Sequence, residues 1–174
     1  MNILITGYPR TGKTTLIKKL LEKLEVTRAG FYTEELCKNN RQRVGFQIKT
    51  IKTKQTGLLA HVAIKSNWQV GRYYVQLPEF ERLVIPELQI AADVIVIDEI
   101  GKMELFSEPF REQLLKNLAK GNVLATITKK GGGKFVQQIK ERSDVQLLEI
   151  TIKNRDALLP LILKMLYKGR KNND

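Results

Sequence analysis

Asn2-Ile3-Leu4-Ile5-Thr6-Gly7-Tyr8-Pro9-Arg10-Thr11-Gly12-Lys13-Thr14-Thr15, continued by LIKKLLEKL over residues 16–24, is the stretch that decides the fold. A short apolar run ends at a glycine, as a buried strand does. Beyond the loop, Leu16, Ile17, Leu20, Leu21 and Leu24 recur at helical spacing, with lysines and a glutamate opposite. Between strand and helix, Gly7–Thr14 fits G-x-x-x-x-G-K-[ST] at every fixed position. Gly7 and Gly12 permit backbone conformations in which successive N–H groups turn inward around an anion. The helix then directs its positive end at the same point. In this reading Tyr8, Pro9, Arg10 and Thr11 complete the loop, and Arg10 adds charge over the γ-phosphate. Lys13 reaches the β- and γ-phosphates, the Thr14 hydroxyl holds magnesium, and Thr15 lies beside the α-phosphate.

Working outward, the rest of the chain alternates between strand-like and helix-like stretches. The segment 28–76 is rich in Thr, Val, Ile, Tyr and Phe and reads as antiparallel strands and hairpins, an insertion or added edge. A helix is expected over Pro78–Ala91, broken or bent at Pro86. Further helices are expected over Glu108–Ala119, Lys134–Arg142 and Arg155–Lys168, with strands at Asp93–Asp98, Asn122–Thr128 and Val145–Ile152. This rhythm predicts one α/β domain over residues 1–174, a mostly parallel sheet with helices on both faces.

A loop that binds phosphate needs a metal ligand and an activated water before it can hydrolyse anything. Val94, Ile95, Val96 and Ile97 form an apolar strand that delivers Asp98 and Glu99 to its C-terminal end, the ligand side of such a sheet. Asp98 is the candidate second magnesium ligand, and Glu99 the carboxylate that polarises water. The length between Thr14 and Asp98 is enough for the hairpin region and at least one more helix, and by fold-level analogy a further strand is expected between the two site-bearing strands. Lys13 and Glu99 are therefore the candidate catalytic residues, Thr14 and Asp98 the metal ligands.

These segments resemble the small P-loop nucleoside-triphosphatases first described in thermophiles, whose vertebrate relatives are called cancer-related nucleoside-triphosphatases. The likeness is carried by GYPRTGKT, by Arg28-Ala29-Gly30-Phe31-Tyr32-Thr33-Glu34-Glu35, by Val70–Val75, by Asp98-Glu99-Ile100-Gly101-Lys102-Met103-Glu104, and by Asn154-Arg155 with Leu158-Leu159-Pro160. The resemblance implies a RecA-like strand order and Mg2+-dependent hydrolysis of ATP, GTP, CTP and UTP with broad base tolerance. It also implies nucleotide-binding segments at Gly7–Thr14 and Val94–Gly101. The loop Lys129-Lys130-Gly131-Gly132-Gly133-Lys134 is more glycine-rich than the family pattern.

Weaker candidates stand beside these. Lys102, Lys129 and Lys130 are placed to neutralise charge on a transferring phosphoryl group. Asn154 and Arg155 fall where a base ring can lie, or Asn154 caps the last helix. His61, Trp68, Tyr73 and Tyr74 read as core or half-buried packing. Thirty Lys and Arg against eighteen Asp and Glu give +12, which favours anionic partners and keeps a nucleic-acid-linked ATPase open beside a small nucleoside or nucleotide kinase. The basic residues Lys164, Lys168, Arg170 and Lys171 motivate the first alternative. One cysteine, Cys37, and no long apolar run predict a cytoplasmic protein without membrane insertion.

Overall fold

The computed structural model describes residues 1–39 and 42–168; Arg170 and Lys171 lie outside them. The first strand β1 (Asn2–Gly7) is buried along its length and leads through the loop into α1 (Lys13–Lys23). Then come β2 (Arg28–Cys37), β3 (Arg43–Thr50), β4 (Thr56–His61), the short β5 (Gln69–Val70) and β6 (Tyr73–Val75), and α2 (Leu77–Gln89). The chain returns through β7 (Val94–Ile100), a 3-10 turn at Glu104–Phe106, α3 (Glu108–Lys120), β8 (Val123–Thr128), α4 (Gly133–Lys140), β9 (Val145–Glu149) and α5 (Arg155–Lys168). Among the described residues nine strands form one sheet in the order β5-β6-β4-β3-β2-β7-β8-β1-β9.

The sheet has two characters. From β2 to β9 neighbouring strands are parallel, and β8, which follows β7 in the chain, lies between β1 and β7 as the analogy leads one to expect. From β2 outward the pairing is antiparallel. The β-rich segment is thus an edge of the same sheet, and β2 belongs to both parts. Its residues Arg28–Phe31 run parallel to β7, while Phe31–Cys37 pair with β3. Gly30 makes the junction possible. Its φ is 112°, and a Cβ there would lie 1.9 Å from the Val96 carbonyl oxygen, so no other residue fits.

Period-two alternation sends side chains to two cores. Ile3, Ile5, Val94 and Val96 face α1 and α5, where Leu16, Ile17, Leu20, Leu158 and Ile162 cover them. Leu4, Ile95, Ile97, Ala125 and Ile127 face α2, α3 and α4. Phe31, Phe80 and Phe110 pack edge to face on that side at 5.4–6.1 Å between centroids.

Of the two expectations at Pro86, a break is excluded, for α2 runs through it to Gln89. Pro86 sits on the exposed side, so the backbone bond it removes is lost to solvent. Around it, Leu83, Val84 and Leu88 are buried, and Glu87 accepts bonds from Gly30 N, Lys52 N, Thr53 N and Thr53 Oγ1. Tertiary contacts hold the last turn where local sequence would end it. His61, Trp68 and Tyr74 are half-buried and Tyr73 is buried, as packing residues. Among the described residues no helix is long and apolar enough to cross a membrane.

Candidate active site

β1 ends at a buried Gly7, where a Cβ would come within 2.6 Å of the Ile150 carbonyl oxygen. The chain then turns through left-handed conformations at Arg10 (φ 67°) and Gly12 (φ 99°), as an inward-facing ring of N–H groups requires. No side chain caps α1, which leaves the amides of its first turn for an anion. Lys13 Nζ folds back to donate to Gly7 O at 3.0 Å and Tyr8 O at 3.3 Å, an anchorage that holds the ammonium over the loop. Thr11 Oγ1 donates to Tyr8 O at 2.8 Å and closes the turn.

Opposite, β7 brings up two carboxylates. Asp98 is 1% exposed. Its Oδ1 accepts a 2.6 Å bond from Thr126 Oγ1, while its Oδ2 is buried with no hydrogen-bond partner among the described residues. Burial pushes its pKa up; the hydroxyls of Thr126 and Thr14, the Lys13 charge and the Thr33 backbone pull it down. A buried carboxylate oxygen without a donor, beside a threonine hydroxyl, is chemistry suited to a hard divalent cation. Glu99 is half-buried, and burial also raises its pKa, opposed by Lys13 and Lys140 and reinforced by Asp98. A raised pKa makes a carboxylate a stronger base near neutral pH.

Two further groups surround Glu99. Glu104, 4% exposed in the 3-10 turn, has its pKa raised to about 8, by burial first and then by the Glu99 and Asp98 charges, with backbone N–H groups opposing. Its Oε2 and the Glu99 carboxyl carbon lie 3.0 and 3.6 Å from one point, the place a Cβ on Gly101 would occupy. From α4, Lys140 Nζ donates to Thr128 O at 2.6 Å and Lys129 O at 3.3 Å; burial lowers its pKa, Glu99 raises it and Lys129 lowers it further.

Loop and carboxylates meet in one cavity of about 920 Å³. Gly7, Tyr8, Pro9, Arg10, Gly12, Lys13, Thr14 and Thr15 line one side, and Asp98 and Glu99 another. Lys129 and Lys130 close a third, their ammonium groups 4.1 and 5.7 Å from the Tyr8 ring centroid, with Lys129 also paired to Glu149. Val94, Ile95, Val96 and Ile97 stay in the core behind the site, and Ile100 and Gly101 are buried beyond it. Lys102 does not line the cavity; it packs against Gly131, where a Cβ would meet its Cε at 2.4 Å. Arg155 passes beside Gly12, 3.9 Å from a Cβ built there. Asn154 is at the start of α5, but its side chain turns backward, accepting from Thr151 N at 2.7 Å and donating to Glu149 O at 2.8 Å.

The remaining wall comes from β2 and β3: Thr33, Glu34, Glu35, Arg43 and Phe46. Sequence spacing does not announce these, because their proximity depends on strand pairing across the edge. Thr126 was more accessible to reading, as a polar residue inside the apolar run of β8.

A phosphate loop at the end of one parallel strand, an acidic pair at the end of another, and a strand between them define a P-loop NTPase fold. The chain belongs to the NTPase family, whose model matches residues 2–163. It is 46% identical over 174 residues to the nucleoside-triphosphatase THEP1 of Thermotoga maritima, covering 98% of each chain. Its structure is similar to the crystal structure of THEP1 from Aquifex aeolicus, with a TM-score of 0.87, 40% identity, and coverage of 95% of this chain and 99% of that one. The solution structure of a human cancer-related nucleoside triphosphatase matches with a TM-score of 0.81 and 37% identity, over 95% and 96% of the two chains.

Proposed function

We propose that this member of the NTPase family hydrolyses nucleoside triphosphates to the diphosphate and phosphate, requires Mg2+, and accepts ATP, GTP, CTP and UTP alike. The observation that carries the reading is the buried Asp98 Oδ2, which has no hydrogen-bond partner among the described residues and shares the cavity with Lys13, Thr14 and Glu99. Thr14 and Asp98 would hold the magnesium, which would supply charge neutralisation for the bound triphosphate. Lys13 and the loop amides bind and orient the triphosphate. Thr126 fixes the Asp98 carboxylate through Oδ1 and leaves Oδ2 directed to its task. Glu99 accepts the proton of the attacking water at its carboxylate, and burial gives it the basicity to do so. The breadth over the four bases rests on the family resemblance; Asn154, the candidate for a base contact, does not line the cavity and bonds Glu149 and Thr151 instead.

The test is phosphate release from the four nucleotides with and without Mg2+, in wild type and Glu99→Gln. Magnesium-dependent release from all four, reduced by ~100-fold or more in a variant that still binds nucleotide, is the expected result. Equal loss of binding and turnover in the variant removes Glu99 from the base role. Turnover that depends on an added nucleoside or monophosphate replaces hydrolysis with phosphoryl transfer to that acceptor.

A further inference from the structure

On the α1 side of the antiparallel edge lies a second cavity, of about 510 Å³. That volume falls in the range of small-molecule sites. Its cations come from separate elements: Lys18 from α1, Arg28 from the start of β2, Lys49 from β3 and Lys54 from the β3–β4 turn. The single lining carboxylate is Glu22. Among the described residues neither Arg28 nor Lys54 pairs with a carboxylate. Tyr32 contributes a half-buried ring, with Lys18 Nζ 5.2 Å from its centroid, and Leu21 and Ile51 supply an apolar surface beside it.

Two features show that this cavity is held in shape. The turn that carries Lys54 is fixed from beneath by the buried Glu87, which takes the amides of Lys52 and Thr53 and the Thr53 hydroxyl. Lys54 itself keeps a left-handed backbone, φ 58°, uncommon for a side chain of its kind. The partition from the nucleotide cavity is an ionic one: Glu34 is gripped by Lys18 and by Lys49 at 2.7 Å, and these pairs hold its pKa down at about 2. Glu34 faces the nucleotide cavity, Lys49 the second cavity, and Lys18 both. Even with Glu34 neutralising one charge, the second cavity remains cationic.

We propose that this cavity is a second binding site, separate from the phosphate loop, for a small phosphorylated anion. Arg28, Lys49 and Lys54 grip the phosphoryl group as a cluster of charged donors. Tyr32, Leu21 and Ile51 receive whatever apolar or planar part the ligand carries. Because the Glu34 partition separates the cavities, the site fills while nucleotide occupies the loop.

The experiment uses the full chain with its loop site saturated by Mg2+ and a non-hydrolysable ATP analogue. Inorganic phosphate and AMP are then titrated separately by calorimetry. One further equivalent is expected to bind, with a Kd on the order of 0.1–1 mM. Similar affinity for both probes makes the phosphoryl group the whole determinant; tighter AMP adds the nucleoside on Tyr32. Lys54→Glu should weaken binding about tenfold, and Glu22→Gln, which removes the one opposing carboxylate, should strengthen it about threefold. Lys49→Gln should also weaken it, and the affinity for the analogue reports that each variant is folded. Absence of binding up to millimolar concentrations overturns the proposal, as does binding indifferent to Lys54 and Glu22. So does binding of a single-stranded oligonucleotide where phosphate and AMP do not bind, which assigns the charge to nucleic acid.

Discussion

The two parts of the nucleotide cavity are made in different ways. The phosphate loop is built from neighbours in sequence: a glycine at each end, a left-handed turn, a helix start without a cap, all within Gly7–Thr15. The facing wall of Thr33, Glu34, Glu35, Arg43 and Phe46 exists only because β2 leaves its parallel partner β7 and pairs with β3 instead. The first part draws on local backbone chemistry, the second on long-range pairing. One is specified by residue type at fixed spacing, the other by register.

The sharpest way to break the comparison is at Gly30, where β2 passes from its parallel partner to its antiparallel one. Gly30→Ala adds a Cβ that has nowhere to go, 1.9 Å from the Val96 carbonyl oxygen at a φ of 112°. It should cost about 4 kcal/mol or more, among the largest effects a single substitution has. Urea unfolding measures it; a loss below 1 kcal/mol would mean that β2 does not depend on that close approach. Next in size is Glu99→Gln, whose ~100-fold loss of turnover corresponds to about 2.7 kcal/mol of transition-state stabilisation. It leaves the loop intact, so nucleotide affinity should hold while turnover falls.

The same division explains what could be read beforehand. The loop, the acidic pair and the parallel half were legible because each depends on spacing and periodicity: Val94–Ile97 alternate between two cores, as a central strand does. The antiparallel character of 28–76 was legible from β-branched and aromatic content, but which of its residues would face nucleotide was not. That α2 continues through Pro86 was not legible for a related reason. A proline predicts the loss of one backbone bond, while the four bonds to the Glu87 carboxylate arrive from β2 and a hairpin turn far away in sequence. Lys140 gave no signal, because an amphipathic helix ending in lysine is an ordinary surface pattern. Glu104 was legible only as part of a motif, with no hint that it would be buried beside Glu99.

A smaller effect separates local from long-range support within the acidic half. Thr126 reaches Asp98 from the neighbouring strand, so Thr126→Val keeps the shape of β8 and removes only the 2.6 Å bond. The Mg2+ concentration for half-maximal activity should rise about tenfold, the usual cost of losing an outer hydrogen bond to a metal ligand. An unchanged requirement would show that Asp98 is oriented by its strand alone.

The last effect comes from Glu104, and its sign follows from burial. An unfolded glutamate releases its proton near 4.5, while the folded Glu104 keeps it up to about 8. Between those values the folded chain binds a proton that the unfolded chain has lost, so the contribution of Glu104 to stability is complete below 4.5 and declines as pH rises through 8. Glu104→Gln removes that dependence. The variant should match wild type near pH 4 and exceed it by a margin that grows as pH rises toward 8. Urea unfolding at intervals across this range gives the two curves. Some decline should persist in the variant, because Asp98 and Glu99 are raised by burial as well. Parallel curves would mean that Glu104 ionises freely in the folded chain. In that case the acidic half carries three negative charges against the two positive charges of Lys13 and Lys140.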